Sequence, residues 1–246
     1  MGKKDHRGYH PLRSIFQAVS LYDDLYIESS SELSFSCDDP AIPPDNTVVR
    51  AARLMMEVAD FPPVAIKLVK RIPNEAGLGG GSSDAAGVIR SAKSLMSASL
   101  PDYEKKAIAK SIGADVSFFL LGGRAKAEGY GEKLTPIPTP NPVEWYVIAQ
   151  PSDRCNTKSA YDRLDEMSYE WQEFPTEDIL FNDFERVAPC GSLELIERLL
   201  LHGARDAGLT GSGSAVFGRF RTEEEAKSVE VKLRDEAPFV CVAHSL

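Results

Sequence analysis

The stretch AGLGGGSSDAAG, residues 76–87, constrains this chain more than any other. Gly77, Gly79, Gly80 and Gly81, followed by Ser82 and Ser83, stand between a strand pattern and a helix pattern. Glycine loses more chain entropy on folding than any other residue, so such a run must serve something that needs bare backbone. Upstream, Val64, Ile66 and Leu68 alternate with Lys67, the period-two pattern of a half-buried strand over 64–72, which Pro73 ends. Downstream, Ala85, Val88, Ile89, Ala92, Leu95 and Met96 recur at the spacing of an amphipathic helix, with Ser82 or Ser83 as its N-cap. A helix start carries unpaired N–H groups and partial positive charge, and glycines let an anion approach it without a Cβ in the way. Phosphate is the expected anion. The run is not a Walker A loop, which needs a lysine, and the dinucleotide spacing fails at Ser82, where a third glycine would follow Gly77 and Gly79.

The wider chain narrows the ligand. With 246 residues, 43% hydrophobic and 26% charged, it has the makings of an ordinary globular protein of one large domain or two small ones. A net charge of −9 argues against non-specific affinity for nucleic acid or anionic membrane, so a bound phosphate has to be held locally. Cys37, Cys155, Cys190 and Cys241 are far apart and form no CxxC pair, which suggests neither a zinc cluster nor a disulfide framework. No apolar run approaches the roughly 20 residues that span a bilayer. The N-terminal MGKKDHRGYH lacks the apolar centre of a signal peptide, and a cytoplasmic location is expected.

Residues 102–112 read as a helix ended by Gly113, and Asp115 then precedes an apolar run, 116–121, that reads as a buried strand. A carboxylate there is costly to desolvate unless it is paired or functional, and a turn role and a chemical role both fit its position. Gly122-Gly123 turns the chain, and the proline-rich stretch 136–142 reads as a linker, dividing it into domains 1–140 and 141–246. Strand patterns near 145–149, 215–220 and 239–243 and helical patterns at 192–202 and 223–234 suggest a small two-layer α/β sandwich in the second domain. A second glycine cluster, 208–214, is either a tight turn or a ligand loop. Two Gly/Ser loops, one per domain, suit a ligand held between them.

The run from Pro73 through GLGGGSSDAA resembles the signature loop of the galactokinase, homoserine kinase, mevalonate kinase and phosphomevalonate kinase superfamily, the GHMP kinases. Further blocks are similar, in order, to the branch that phosphorylates a diphosphocytidyl methylerythritol: Gly8-Tyr9-His10, Asp45-Asn46, Gly113-Ala114-Asp115, 127–132, Asn182-Asp183 and 210–217. The resemblance covers nearly the whole chain. It implies an α+β GHMP kinase fold, with an ATP-binding N-terminal domain of the ribosomal protein S5 domain 2-like type and a ferredoxin-like α/β sandwich after it. The implied activity is transfer of the γ-phosphoryl of ATP, with Mg²⁺, to the 2-hydroxyl of the methylerythritol moiety. No residue is assigned to the metal. By the resemblance, Pro73 and residues Gly77, Leu78, Gly79, Gly80, Gly81, Ser82 and Ser83 hold the nucleotide, and Asp115 is the general base. Tyr9 and His10 hold the cytosine, Phe181 clamps it in preference to Phe184, and Gly211, Ser212, Gly213 and Ser214 line the substrate site.

This sequence departs from the family pattern at its start. The family carries a first strand with an Ala-Lys-(Ile/Leu)-Asn motif before GYH, and its lysine lies beside the catalytic aspartate. That motif is not present here, and Arg7 stands where Asp is usual. The reading expects an N-terminally shortened kinase, short of one fixed cation and one row of the sheet. The alternative is a nucleotide-binding homologue without turnover.

Overall fold

A computed structural model describes residues 1–2, 4–6, 8–97, 99–167 and 180–246; Arg7 lies outside the described residues. The chain divides into two compact units, one comprising Leu21–Ile72 and Gly79–Gly122, the other Met1–Ser20, Pro73–Leu78 and Gly123–Leu246. Among the described residues no helix is long and apolar enough to cross a membrane.

The first of these units holds strands β2 (Asp24–Ser29), β3 (Ser34–Cys37) and β4 (Val64–Val69) and helices α1 (Thr47–Val58), α2 (Gly80–Leu95), α3 (Asp102–Ile112) and α4 (Ala114–Leu121). β4 is the central strand, antiparallel to β2 and parallel to β3. Its alternation is as the sequence predicts, with Val64, Ile66 and Leu68 buried and Lys67 exposed. Each buried aliphatic side chain is worth about 1.5–3 kcal/mol. They pack with Val48, Ala52 and Met55 of α1 and Ala85, Val88 and Ile89 of α2 in one core. The Asn46 side chain opens α1 by accepting from the N–H groups of Val48 and Val49, at 2.9 and 3.2 Å.

Three expectations change here. β4 stops at Val69 rather than running to Pro73, because the next three N–H groups turn to carboxylates. Asp38 accepts from Lys70 N at 2.9 Å, and Asp23 accepts from Arg71 N and Ile72 N at 2.5 and 2.8 Å. The apolar run 116–121 is the helix α4, not a strand. A short apolar run fits either state by pattern, and packing against α2 and α3 decides it. Neither Ser82 nor Ser83 is the N-cap of α2, which is Gly79 in a left-handed conformation with no side-chain cap.

The other unit contains two antiparallel sheets. One is β1 (Ser14–Gln17), β5 (Arg124–Glu128) and β6 (Lys133–Ile137), in which Pro136 is tolerated because β6 is an edge strand. The other has the order β10-β7-β9-β8, from β7 (Trp145–Gln150), β8 (Asp206–Leu209), β9 (Val216–Phe220) and β10 (Phe239–His244). Helices α6 (Cys190–Leu201) and α7 (Glu223–Leu233) pack on it, giving the expected α/β layering. Its core joins Val147, Ala149, Leu195, Leu199, Phe220 and Leu233. Helix α5 (Thr157–Glu166) and a 3₁₀ turn (Asp183–Val187) complete the unit.

Candidate active site

The N-terminus of α2 presents unpaired donors. Ser82 N and Ser83 N both donate to Gly79 O, at 3.0 and 2.9 Å. The N–H groups of Gly80 and Gly81 and the hydroxyls of Ser82 and Ser83 make no hydrogen bond to the described residues, so four donors stand at the positive end of the helix dipole. The glycines answer first to protein neighbours. A Cβ on Gly79 would lie 2.7 Å from Phe119 Cε2, one on Gly80 2.9 Å from Ile72 Cγ2 and 3.2 Å from Lys70 Nζ, and one on Gly81 3.1 Å from Thr47 Oγ1. Thr47 also donates its hydroxyl to Gly81 O at 2.7 Å. Bare backbone lets the first turn of α2 sit flush on its own unit.

Asp115 stands in the first turn of α4, and Phe119 shares its face one turn later. That face meets Gly79, so the carboxyl is on the side of α4 turned to the start of α2. Arg90 of α2 donates to Phe119 O and, at 3.4 Å, to Leu120 O, fixing the two helices together. Asp115 is solvent-exposed and makes no hydrogen bond or ion pair with the described residues. The protein around it is still dense enough that desolvation raises its pKa above the ordinary carboxylate value. An accessible, unpaired carboxyl of raised basicity can take a proton.

In the other unit, the segment entering the glycine run interlocks with the second glycine cluster. Pro73 and Leu78, half-buried, bracket it. Thr210 Oγ1 donates to Gly77 O at 3.0 Å, Ala215 N to Ala76 O at 3.1 Å and Ser214 N to Glu75 O at 3.4 Å. Contact is so close that a Cβ on Gly77 would fall 2.1 Å from Thr210 O, and one on Gly211 2.7 Å from Gly77 O. The serines of this cluster face inward. Ser214 is fully buried, its hydroxyl accepting from Gln150 at 3.3 Å, and Ser212 Oγ lies 3.0 Å from Thr157 Oγ1. Gly213 is left-handed, with φ +84.

The GYH residues form an aromatic group in that same unit. Tyr9 is 64% exposed and meets the ring of Tyr130 edge-on at 5.8 Å. His10 is buried and stacks on Tyr161 at 5.2 Å, and Tyr161 in turn abuts Phe184. His10 Nδ1 lies 2.9 Å from Gly2 O; a carbonyl only accepts, so Nδ1 carries the proton. In the neutral ring Nε2 is then an acceptor. Nε2 is buried and makes no hydrogen bond, and it faces the Asp165 carboxylate, whose Oδ1 lies 3.1 Å away. Of the two phenylalanines beside Asn182-Asp183, Phe184 belongs to the core while Phe181 is 44% exposed. Asn182 Nδ2 donates to Leu209 O and Gly211 O, at 2.9 and 2.8 Å, pinning this segment to the second glycine cluster.

One group escapes the sequence reading. Lys70 Nζ lies 2.5 Å from Asp23 Oδ2 and 3.1 Å from Asp84 Oδ2, and all three side chains are at most 6% exposed. No spacing in the sequence joins positions 23, 70 and 84; only the fold brings them together.

Comparison with known proteins bears on the family and the fold. The GHMP kinases N terminal domain family matches residues 46–123 and the GHMP kinases C terminal family residues 191–238. The 4-diphosphocytidyl-2-C-methyl-D-erythritol kinase of Pelobacter propionicus is 38% identical over 97% of this chain and 91% of its own. This chain belongs to the 4-diphosphocytidyl-2-C-methyl-D-erythritol kinase family of GHMP kinases. Its relative in Geobacter metallireducens, of the same name, is 35% identical over 96% of this chain and 90% of its own. A crystal structure of a 4-(cytidine 5'-diphospho)-2C-methyl-D-erythritol kinase superposes with a TM-score of 0.84 at 33% identity, covering 98% of this chain and 92% of that one. The mevalonate kinase of Methanococcus jannaschii, at 14% identity and a TM-score of 0.71, shares the fold. As a GHMP kinase of this family, the chain is a small-molecule kinase.

Proposed function

We propose that this chain transfers the γ-phosphoryl group of ATP to the 2-hydroxyl of 4-diphosphocytidyl-2-C-methyl-D-erythritol, in cytoplasmic isoprenoid precursor synthesis by the non-mevalonate route. The observation that carries this reading is Asp115, an exposed, unpaired carboxyl of raised pKa on the helix face turned to the α2 N-terminus. The N–H groups of Gly80 and Gly81 and the hydroxyls of Ser82 and Ser83 hold phosphate oxygens. Asp115 orients the 2-hydroxyl and takes its proton as the oxygen bonds to the γ-phosphorus. The bond to the β–γ bridging oxygen breaks and ADP leaves with that electron pair. Little covalent chemistry is asked of the protein, so catalysis is positioning and charge stabilisation.

The free hydroxyls of Ser82 and Ser83 are hard oxygen donors of the kind Mg²⁺ accepts, and they would hold it together with the phosphates. When bound, Mg²⁺ neutralises charge on the transferring phosphate. Tyr9 stacks on the cytosine, and Phe181 closes over it. His10 reads its edge. Residues 211–214 shape this side through their backbone, since Ser212 and Ser214 spend their hydroxyls inside.

A substrate panel tests the reading. Turnover is expected with the diphosphocytidyl compound and not with mevalonate or homoserine, which have no cytosine for Tyr9 and His10. The opposite preference would overturn it.

A further inference from the structure

The phosphate-facing helix start rests on a buried charge cluster. Lys70, at the end of β4, puts its ammonium 2.5 Å from Asp23 and 3.1 Å from Asp84, and the ammonium lies 3.2 Å from where a Cβ on Gly80 would stand. Asp84 belongs to the second turn of α2, directly after the two serines. Asp23 does more than pair: its other oxygen takes the N–H groups of Arg71 and Ile72, and Ile72 is the residue on which Gly80 packs. One cation thus ties three pieces of chain together, the entry to β2, the exit from β4 and the first two turns of α2.

Burying two carboxylates and an ammonium is costly in desolvation, and apolar residues of similar volume would serve stability as well or better. The cluster therefore calls for a reason beyond stability, and its place under Gly80 supplies one. We propose that Lys70, held by Asp23 and Asp84, is a positioning residue for the phosphoryl donor: it fixes the first turn of α2 so that the N–H groups of Gly80 and Gly81 point along one direction. This rests on the nucleotide-binding role of α2 proposed above. The charge balance agrees with it. Burial works against the Lys70 ammonium, but the charge of Asp84 and the hydrogen bond to Asp23 outweigh it, and Lys70 stays charged.

The test compares Asp84→Ala, which cuts the tie to α2 and leaves the Lys70–Asp23 pair intact, with Asp84→Asn, whose side-chain carbonyl still accepts from Lys70. Binding of the magnesium complex of a non-hydrolysable ATP analogue is measured by calorimetry, alongside steady-state kinetics. The expected result is a rise of about tenfold in the analogue's Kd and in KM for ATP with Asp84→Ala. Asp84→Asn should restore both to near the unsubstituted values, and KM for the cytidine substrate should be unchanged in each. A folded Asp84→Ala that binds the analogue as well as the unsubstituted chain would overturn the proposal. If Asp84→Ala does not fold, the neutral triple variant Asp23→Asn/Lys70→Met/Asp84→Asn takes its place, with the same weakening expected and the same refutation. Absence of turnover by the unsubstituted chain would sink the substrate assignment, while the binding comparison would still decide the role of Lys70.

Discussion

The interlock of the two glycine segments is open to a sharp test with Gly77→Ala. Gly77 has φ +71, a left-handed conformation that costs an L residue roughly 1–2 kcal/mol. The added Cβ would also sit 2.1 Å from Thr210 O, so residues 75–77 and 210–215 have to part by more than an ångström. Parting them strains the three hydrogen bonds that join them, from Thr210 Oγ1, Ser214 N and Ala215 N, each worth about 1 kcal/mol net. The sum is roughly 4–5 kcal/mol, and at about 2–4 °C per kcal/mol for a chain of this size the thermal midpoint should fall by roughly 10–20 °C. Gly123→Ala is the matched control. Its φ of +65 is nearly the same, but its Cβ would meet only Thr139 Cγ2, at an ordinary 3.9 Å, so it should show the conformational cost alone. Thermal unfolding followed by circular dichroism reads both. Equal midpoint losses for the two variants would refute the interlock as a stabilising contact.

Asp115→Asn should lower kcat by about 10²–10⁴ while both substrates still bind, because the shape is kept and the base removed. In the unsubstituted chain kcat should rise with pH through a limb above the ordinary carboxylate range, since desolvation raises the Asp115 pKa and the base acts deprotonated; a limb that persists in the Asn variant would reassign the base. Tyr9→Ala should raise KM for the cytidine substrate by roughly 5- to 150-fold, equivalent to about 1–3 kcal/mol of stacking, and leave KM for ATP unchanged. Asp84 adds a pH dependence of stability. Folded, it is pushed up to about 7 from the ordinary 3.8, so between these values the native state holds the extra proton and stability falls as pH rises. Thermal midpoints measured across this window should show the decline, and Asp84→Asn should flatten it.

The sequence disclosed the local part of this structure and hid the part that depends on tertiary contact. The strand of Val64, Ile66 and Leu68, the helix after the glycines and the helix closed by Gly113 were legible because apolar periodicity and turn residues agree there. The helical state of 116–121 was not, since a short apolar run carries no period and its packing against α2 and α3 leaves no mark in its own pattern. The end of β4 at Val69 depends on Asp23 and Asp38, which lie 48 and 32 positions from Arg71 and Lys70, whose N–H groups they accept. The glycine run was conspicuous, but its cause was only partly readable. Phosphate access explains the free N–H groups, while Phe119, Ile72, Thr47 and Thr210 account for the missing side chains. Asp115 was visible through the motif around it, whereas of the Asp23–Lys70–Asp84 cluster only Asp84 stood in a motif, and nothing in the sequence linked it to the other two.

Phosphoryl transfer to the 2-hydroxyl is read by incubating the purified chain with Mg-ATP and 4-diphosphocytidyl-2-C-methyl-D-erythritol and following ³¹P NMR. A new phosphomonoester at the 2-position is expected, formed in step with ADP and lost in Asp115→Asn. Hydrolysis of ATP with no phosphorylated acceptor, or phosphate on another hydroxyl, would contradict it.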